Sequence, residues 1–310
     1  MFRKATWIVA GVLLASGVLV GLRVAASRPQ RSDPTQNRVE IRVVGDRRVV
    51  VANGIADHQT GLFPNANNPF GIRAQRHRYS MPATPSAGSS PTPMGVREFG
   101  VAVNGVAFDP AGPFLNGDQA SGWEFEPLHP NVGAHLGVDD QNAHTQPSGA
   151  YHYHGMPRGL YERLVRESGG EDKRMILVGW AADGFPIYGP YAHETASDRN
   201  SPLREMKSSY RLRSGTRPAP PGGPFDGWFI QDYEFVPGLG DLDECNGRVG
   251  VTPEFPGGTF YYMLSREFPV ISRVFRGTPD DSFLHPGGGP GPGEVPPGLR
   301  DYPRVKPPRE

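Results

Sequence analysis

The stretch GVDDQNAHTQPSGAYHYHGMP, residues 137–157, predicts a β-strand with two chemically different faces. Within it, the tetrapeptide Tyr151-His152-Tyr153-His154 alternates phenol with imidazole. Successive side chains of a strand point to opposite faces, so we expect both imidazoles on one face and both phenols on the other. The phenol rings should pack inward and hold the histidines in a fixed direction.

Two imidazoles on one strand face can bind the same metal ion. At Cα the two histidines should lie about 6.6 Å apart, and both rings can then reach one ion at ~2.0–2.1 Å. A chain reversal at TQPSG would bring His144 or Asp140 onto the same face. We therefore expect a divalent metal, zinc or copper(II), bound by His152 and His154, with His144 or Asp140 completing the set. The alternative is a histidine pair that is only hydrogen-bonded on a polar face.

Three further residues are candidates for this site. His58, in ADHQTG, could add an imidazole from a distant loop, and Asp139 or Asp183 could act as a general base near the ion. Asp183 also precedes Gly184, and turn geometry alone explains an aspartate there. The motifs of serine hydrolases, helical zinc proteases and dinucleotide-binding loops do not occur. The sequence therefore assigns no catalytic residue and no organic cofactor.

The surrounding segments predict a mainly β fold, a single strand-rich domain with long Pro/Gly-rich loops and one or two short helices. Alternating or continuous apolar patterns favour strands or hairpins at 39–55, 100–110, 173–189, 210–215 and 258–265. Leu160, Leu164 and Val165 share one face of a helix predicted over 159–168, and a shorter helix is predicted after Pro202. Segment 80–94 is expected to be an exposed loop.

The composition excludes several classes of protein. Lys and Arg number 32 against 32 Asp and Glu in 310 residues, so the chain lacks the basic excess that a nucleic-acid partner requires. The 41 Gly and 34 Pro residues exclude a long-helix bundle, because both residue types shorten helices. The single cysteine, Cys245, excludes an intrachain disulfide and a thiolate zinc cluster. The acids beside it should raise its thiol pKa, which argues against a nucleophilic role.

The N-terminus predicts export. Arg3 and Lys4 precede an uncharged run, Ala5 to Leu22, which is typical of an export signal and is also long enough for an uncleaved anchor. The body of the protein should therefore be extracytoplasmic (periplasmic, secreted or anchored), with membrane contact only through this segment. The expected organisation is a signal peptide or membrane anchor over 1–26, a linker over 27–37, a β-rich domain over 38–277 and a Pro/Gly-rich flexible tail over 278–310.

The sequence also resembles a known family, the YHYH-domain proteins, which take their name from the tetrapeptide at 151–154. The similar segments follow one another in the order NGIADHQTGLFPNANNP, GVAVNGVAFDP, DDQNAHTQPSGAYHYHGMP, GWAADGFPIYG, SYRLRSGTRP and DLDECNGRVGVTPEFPGGTFYY. The resemblance covers most of 53–276 and implies an exported bacterial domain. It implies no particular reaction.

These observations support three functions. The first is an exported metal-binding domain with a His-x-His strand site. The second is a metal-dependent envelope hydrolase or oxidoreductase that uses the same site. The third is a non-enzymatic surface module that binds a glycan or a protein through aromatic strands. The small-molecule or envelope partner is not identified by the sequence in any of the three.

Overall fold

The tetrapeptide lies close to one edge of the largest sheet among the described residues. The computed structural model describes residues 35–170, 173–285 and 299, which belong to one compact unit. The segment 1–26, expected to be a signal or anchor, and most of the 27–37 linker lie outside the described residues. In the described part of the chain, no helix is long and apolar enough to cross a membrane.

Short strands dominate the described residues. In chain order they are β1 (Val39–Val44), β2 (Arg47–Ala52), β3 (His77–Pro82), β4 (Thr92–Pro93), β5 (Gly100–Ala102), β6 (Ala107–Phe108), β7 (Ala143–Thr145), β8 (Tyr151–Tyr153), β9 (Leu177–Ala181), β10 (Pro186–Tyr188), β11 (Tyr191–His193), β12 (Leu203–Glu205), β13 (Tyr210–Leu212), β14 (Tyr233–Phe235), β15 (Gly247–Gly250), β16 (Thr259–Met263) and β17 (Val274–Phe275). The α-helices are α1 (Pro130–Leu136) and α2 (Arg158–Glu167), and 3-10 turns occupy Leu115–Gly117, Gln119–Ser121, Ile230–Asp232 and Asp281–Phe283. The predicted mainly β fold class is confirmed.

One mixed sheet of eight strands carries the site. Its order is β15-β16-β10-β9-β5-β6-β8-β7. The pairs β6–β8 and β10–β16 are parallel, and the other neighbours are antiparallel. The predicted strands at 100–110, 173–189 and 258–265 all lie in this sheet. Strand β8 therefore has a partner on each side, and β7 is the edge strand.

A second sheet has the order β1-β2-β3. Its β1–β2 hairpin is the one predicted within 39–55, and it turns at Gly45, whose φ of 61° lies in the left-handed region that glycine tolerates best. Val50 and Ala52 of β2 join Tyr79 and Met81 of β3 in the main core. Strand β2 is thus buried, whereas β1 is largely exposed.

The phenol face of β8 belongs to the main core. Tyr151 and Tyr153 are 1% and 0% exposed. The ring of Tyr153 contacts Phe108 of β6 with the centroids 5.7 Å apart. Leu160 and Val165 of α2 are buried in the same cluster, which confirms the apolar face predicted for that helix. The predicted inward packing of the phenols is also confirmed.

One local prediction was wrong, and one helix was not predicted. The residues after Pro202 form strand β12 instead of a helix, because they pair antiparallel with β11. The second helix is α1, which starts at Pro130 and ends before Gly137 in the left-handed conformation. Its sequence, PNVGAHL, has too few apolar residues to show helical periodicity.

The segment expected to be an exposed loop and the segment expected to be a flexible tail both contribute buried side chains. Met81 and Met94, at the ends of the 80–94 segment, are 0% and 6% exposed. In the segment expected to be a flexible tail, Phe283 stacks on Tyr79 with the centroids 4.5 Å apart, and Leu299 is buried in a second apolar cluster. Apolar residues scattered among Gly and Pro therefore reach the core without any periodic pattern.

Candidate metal centre

The pairing of β8 with its neighbours directs three histidines to one face of the sheet. In the antiparallel pairing with β7, His144 lies opposite His152, and directly opposed residues share a face. The backbone N–H of His154, just past the strand, donates to the carbonyl of Asn142 at 2.7 Å. This hydrogen bond extends the β7–β8 pairing by one residue, so the side chains continue to alternate and the His154 ring lies on the same face as His144 and His152.

The three imidazoles form a nearly equilateral triangle. Their ring centroids lie 4.7 Å apart for His144 and His152, 4.8 Å for His144 and His154, and 4.7 Å for His152 and His154. One possible ligand atom from each ring lies within 4.8 Å of the other two. No other group of three His, Cys, Asp or Glu side chains in the described ranges has this spacing. Three donors on one side of a point can bind a tetrahedral ion and leave its fourth position open.

Two of the ring nitrogens are close enough to share an ion. The Nε2 atoms of His152 and His154 lie 3.1 Å apart. Two imidazole nitrogens bound at ~2.05 Å to a tetrahedral zinc ion would lie about 3.3 Å apart, so little movement is needed for both to bind. Without an ion, one Nε2 must carry the proton, because two facing lone pairs repel each other.

Hydrogen bonds on the far side of the rings favour the metal-binding tautomer of His144 and, at a longer distance, of His152. The Nδ1 of His144 lies 2.8 Å from the carbonyl oxygen of Leu136, which can only accept, so Nδ1 carries the proton and Nε2 is left as the donor to a metal. Asn68 positions that carbonyl by donating to it at 3.2 Å. The Nδ1 of His152 is 3.4 Å from the carbonyl of Ala150. The Nδ1 of His154 is buried without a well-formed hydrogen bond.

Burial keeps the three rings neutral. Desolvation is the largest cause that lowers the pKa of each ring, and it lowers those of His152 and His154 well below the ordinary value. The neighbouring imidazoles lower the pKa values of these two rings further, since each added proton would repel the next. The rings are therefore unprotonated at neutral pH, the state in which imidazole binds metal.

The two aspartates predicted beside the histidines have different surroundings. Asp140 is exposed and is not part of the three-histidine group. The Oδ1 of Asp139 accepts from the backbone N–H groups of Gln141 and Ala143, and its Oδ2 accepts from the N–H of Gly61 and the Tyr151 hydroxyl, at 2.7–3.2 Å. Asp139 thus fixes the loop before β7 from the phenol side of the sheet. It holds in place the loop that leads into His144.

His58 also lies on the phenol side. Its Nε2 is 2.7 Å from the Tyr153 hydroxyl, and its Nδ1 is 3.0 Å from the carbonyl of Gln59. Asn104 donates to the same hydroxyl at 2.9 Å, so the hydroxyl donates in turn to His58. Because Tyr153 alternates with the two strand histidines, the sheet separates His58 from them. His58 therefore stabilises strand β8 from the phenol side, through the Tyr153 hydroxyl.

Asp183 and Cys245 are remote from the three histidines. Asp183 accepts from the Tyr262 hydroxyl at 2.5 Å and from the N–H of Gly277 at 2.9 Å, and burial raises its pKa to about 6. These bonds join the β9–β10 turn to β16 and β17, so turn and sheet packing account for the residue. Burial, together with the nearby Asp243 and Glu244, raises the pKa of the Cys245 thiol to about 12. The raised pKa agrees with the prediction from the neighbouring acids and argues against a nucleophilic role.

The sequence did not reveal one polar pair beside the site, Asp109 and His285. Asp109 directly follows β6, whose parallel pairing with β8 places Ala107 opposite His152. The backbone N–H of Asp109 donates to the carbonyl of Tyr153. By alternation Asp109 shares the histidine face. Its Oδ2 lies 3.3 Å from the Nε2 of His285, whose charge also influences the pKa of His152. The parallel β6–β8 pairing gives no local sequence signal, and Asp109 and His285 are 176 positions apart in the sequence.

Comparison with known proteins gives one family. A model of the family described as "YHYH protein" matches residues 78–277, which is more than half of the chain. The matched region begins in β3 and ends after β17, so it contains the whole eight-stranded sheet and the three histidines. No curated protein and no solved structure matches the chain.

Proposed function

The chain belongs to the YHYH protein family, and we propose that it is a metal-binding protein whose ion is bound by His144, His152 and His154. The observation that carries the proposal is the 3.1 Å separation of two Nε2 atoms beside a third imidazole whose tautomer is fixed. A hydrogen-bonded histidine pair would explain two of these rings. It would not explain a third ring at equal distance from both.

The donor set favours zinc or copper(II). All three donors are neutral imidazoles, a ligand type that suits zinc and copper and is poor for magnesium and calcium. The triangular arrangement fits a tetrahedral ion better than a square-planar one, which favours zinc between the two. His152 and His154 are 4% and 2% exposed, so the ion would be largely enclosed by protein.

We place the domain outside the cytoplasm. Support comes from Arg3 and Lys4 before the uncharged run that ends at Leu22, which is typical of an export signal or anchor. Neutral imidazoles without thiolates also suit an oxidising compartment, because they do not form disulfides. Signal cleavage and membrane retention are distinguished by the N-terminal sequence of the mature protein.

A metal titration tests the binding proposal. The full-length protein is stripped with chelator and titrated with Zn²⁺ and Cu²⁺ by calorimetry, and bound metal is counted by elemental analysis. We expect one equivalent of metal per chain. The double variant His152→Ala/His154→Ala should lose at least 100-fold in affinity, because it removes two of three ligands.

A matched histidine variant controls for nonspecific uptake. His193 lies in β11, and its Nδ1 is 3.1 Å from the carbonyl of Ser201, outside the three-histidine group. His193→Ala should keep wild-type affinity. Equal metal uptake by wild type and the double variant would exclude the proposed site.

The pair formed by Asp109 and His285 favours a catalytic alternative, a metal-dependent envelope hydrolase or oxidoreductase. When bound, a divalent ion supplies Lewis acidity at the three histidines. Asp109 is 5% exposed and would hold or accept a proton, with His285 fixing its orientation. Asp109→Asn should then keep metal affinity within a few-fold but abolish any turnover found in ester, amide, phosphate and oxidase assays. Unchanged turnover in that variant would remove Asp109 from the mechanism.

The third candidate function, a glycan- or protein-binding module, needs aromatic side chains that a partner can reach. Trp180 and Trp228 are each 7% exposed, so neither indole offers an open platform. An open cleft of about 570 Å³ is lined by Tyr210, Tyr233 and Phe268. A binding module would use this cleft, and the variant Tyr210→Ala should then abolish retention on glycan or envelope-protein arrays without changing metal affinity.

A further inference from the structure

Strand β1 is an open edge of its sheet. Within the described residues, it pairs with β2 on one side and with no strand on the other. Ile41 and Val43 are 38% and 60% exposed, although their partners Val50 and Arg48 in β2 are buried. The strand, VEIRVV, contains no proline, lysine or bulge, which are the usual features that prevent an edge from pairing with another chain.

The free edge presents a defined set of backbone groups. In an antiparallel pair, alternate residues direct their N–H and C=O groups toward the partner. The carbonyl of Arg38 accepts from the N–H of Asn53, just beyond the register that pairs Val39 with Ala52. Positions 40, 42 and 44 therefore bond to β2. Val39, Ile41 and Val43 direct their N–H and C=O groups outward, away from β2.

We propose that β1 pairs with β1 of a second copy of this chain, antiparallel, with the two-fold axis at Ile41. This register places Ile41 opposite Ile41 of the partner subunit and Val39 opposite Val43 of the partner subunit. The outward N–H and C=O groups at all three positions then pair with each other. The two sheets join into one of six strands, and the apolar side chains at 39, 41 and 43 cover their counterparts.

Charge complementarity selects this occupant and this register. On the other face of β1, Glu40 comes opposite Arg42 of the partner subunit, and Arg42 comes opposite Glu40 of the partner subunit. Within one chain these two side chains already lie on the same face, with Oε1 and Nη1 3.0 Å apart. A shift of one residue would place Glu40 opposite Val43 and Arg42 opposite Ile41, so both ion pairs would be lost.

Cysteine crosslinking tests the register. Directly opposed residues of a hydrogen-bonded pair lie about 5.5 Å apart at Cα, within disulfide range, so Ile41→Cys should crosslink two full-length chains under mild oxidation. Val43→Cys is the matched control, because its two copies would lie roughly 14 Å apart across the axis. The wild-type chain should not crosslink, since its Cys245 is buried. Crosslinking of Val43→Cys at the rate of Ile41→Cys would overturn the proposal.

Charge reversal tests the partner. Each single variant, Glu40→Arg or Arg42→Glu, sets like charges opposite each other twice and should weaken the dimer at least tenfold in sedimentation equilibrium. An equimolar mixture of the two variants restores opposite charges at both positions and should dimerise with near wild-type affinity. Ile41→Lys should be monomeric, with an unchanged circular dichroism spectrum. A monomeric wild-type chain at tens of micromolar, or a mixture no tighter than its components, would refute the pairing.

Discussion

The Nε2 atoms of His152 and His154 face each other at 3.1 Å on one side of strand β8. Tyr153, the residue between them in the sequence, points to the other side. Tyr153 is fixed from the opposite side of the sheet by Asn104 and His58. The strand cannot rotate without breaking those bonds, so the two imidazoles are held in position before any ion binds. Metal binding should therefore require little reorganisation of the protein.

Metal should stabilise the folded protein. An ion that binds the three histidines only when they are assembled raises the free energy of unfolding by about 2.7 kcal/mol at 100 times its Kd. We expect Zn²⁺ to raise the thermal midpoint of wild type by at least several degrees, and chelator to reverse the rise. The His152→Ala/His154→Ala variant should show no rise, and a rise equal to wild type would place the ion elsewhere.

The metal-free protein should lose stability in mild acid. Burial lowers the pKa values of the three rings below the unfolded value of about 6.5. Their contribution to the free energy of unfolding is therefore complete above about pH 6.5 and is lost as the pH falls below it. Below about pH 6.5, each ring that stays neutral in the folded state lowers the free energy of unfolding by about 1.4 kcal/mol per pH unit. Urea unfolding in chelator from pH 7.5 to pH 5 measures this loss. The triple variant His144→Gln/His152→Gln/His154→Gln should show a smaller loss over the same range, and an identical profile would contradict the assignment.

Glu98 should have the opposite dependence. Burial raises its pKa to about 8, and the nearby Asp109 adds to the rise. A group whose folded pKa exceeds its unfolded value contributes stability that is complete below about pH 4.5 and is lost as the pH rises toward 8. Glu98→Gln should therefore be more stable than wild type at pH 8.5, by at least about 1 kcal/mol, and nearly equal to it at pH 5. The exposed residue Glu162 of α2 supplies the control, since Glu162→Gln should change stability little at either pH.

Tyr151 should act on metal affinity through Asp139. Its hydroxyl donates to Asp139 at 2.7 Å, and Asp139 fixes the loop that precedes His144. Tyr151→Phe keeps the packed ring but removes this bond, so affinity for Zn²⁺ should fall about 10–100-fold and stability by about 1 kcal/mol. Tyr261→Phe is the matched control, because the Tyr261 hydroxyl is buried in the same sheet without a hydrogen-bond partner. Its removal should leave both quantities unchanged, and a similar loss in both variants would point to a general effect on folding.

Local pattern predicted much of the fold. Alternation predicted that His152 and His154 share a face, and the turn signals predicted the hairpins at Gly45 and at 100–110. Helix α2 followed from three apolar residues at helical spacing. Helix α1 and strand β12 did not follow, because the first lacks apolar periodicity and the second is a strand only through its pairing with β11.

The sequence by itself determined which rings share a strand face, since that depends only on the two-residue period of the backbone. The tertiary structure decided which other groups meet them. It brought His144 opposite His152, left Asp140 exposed, placed His58 behind the sheet, and brought Asp109 and His285 alongside. Strand register and parallel pairing between distant segments depend on the packing of the whole core, and no local pattern encodes them.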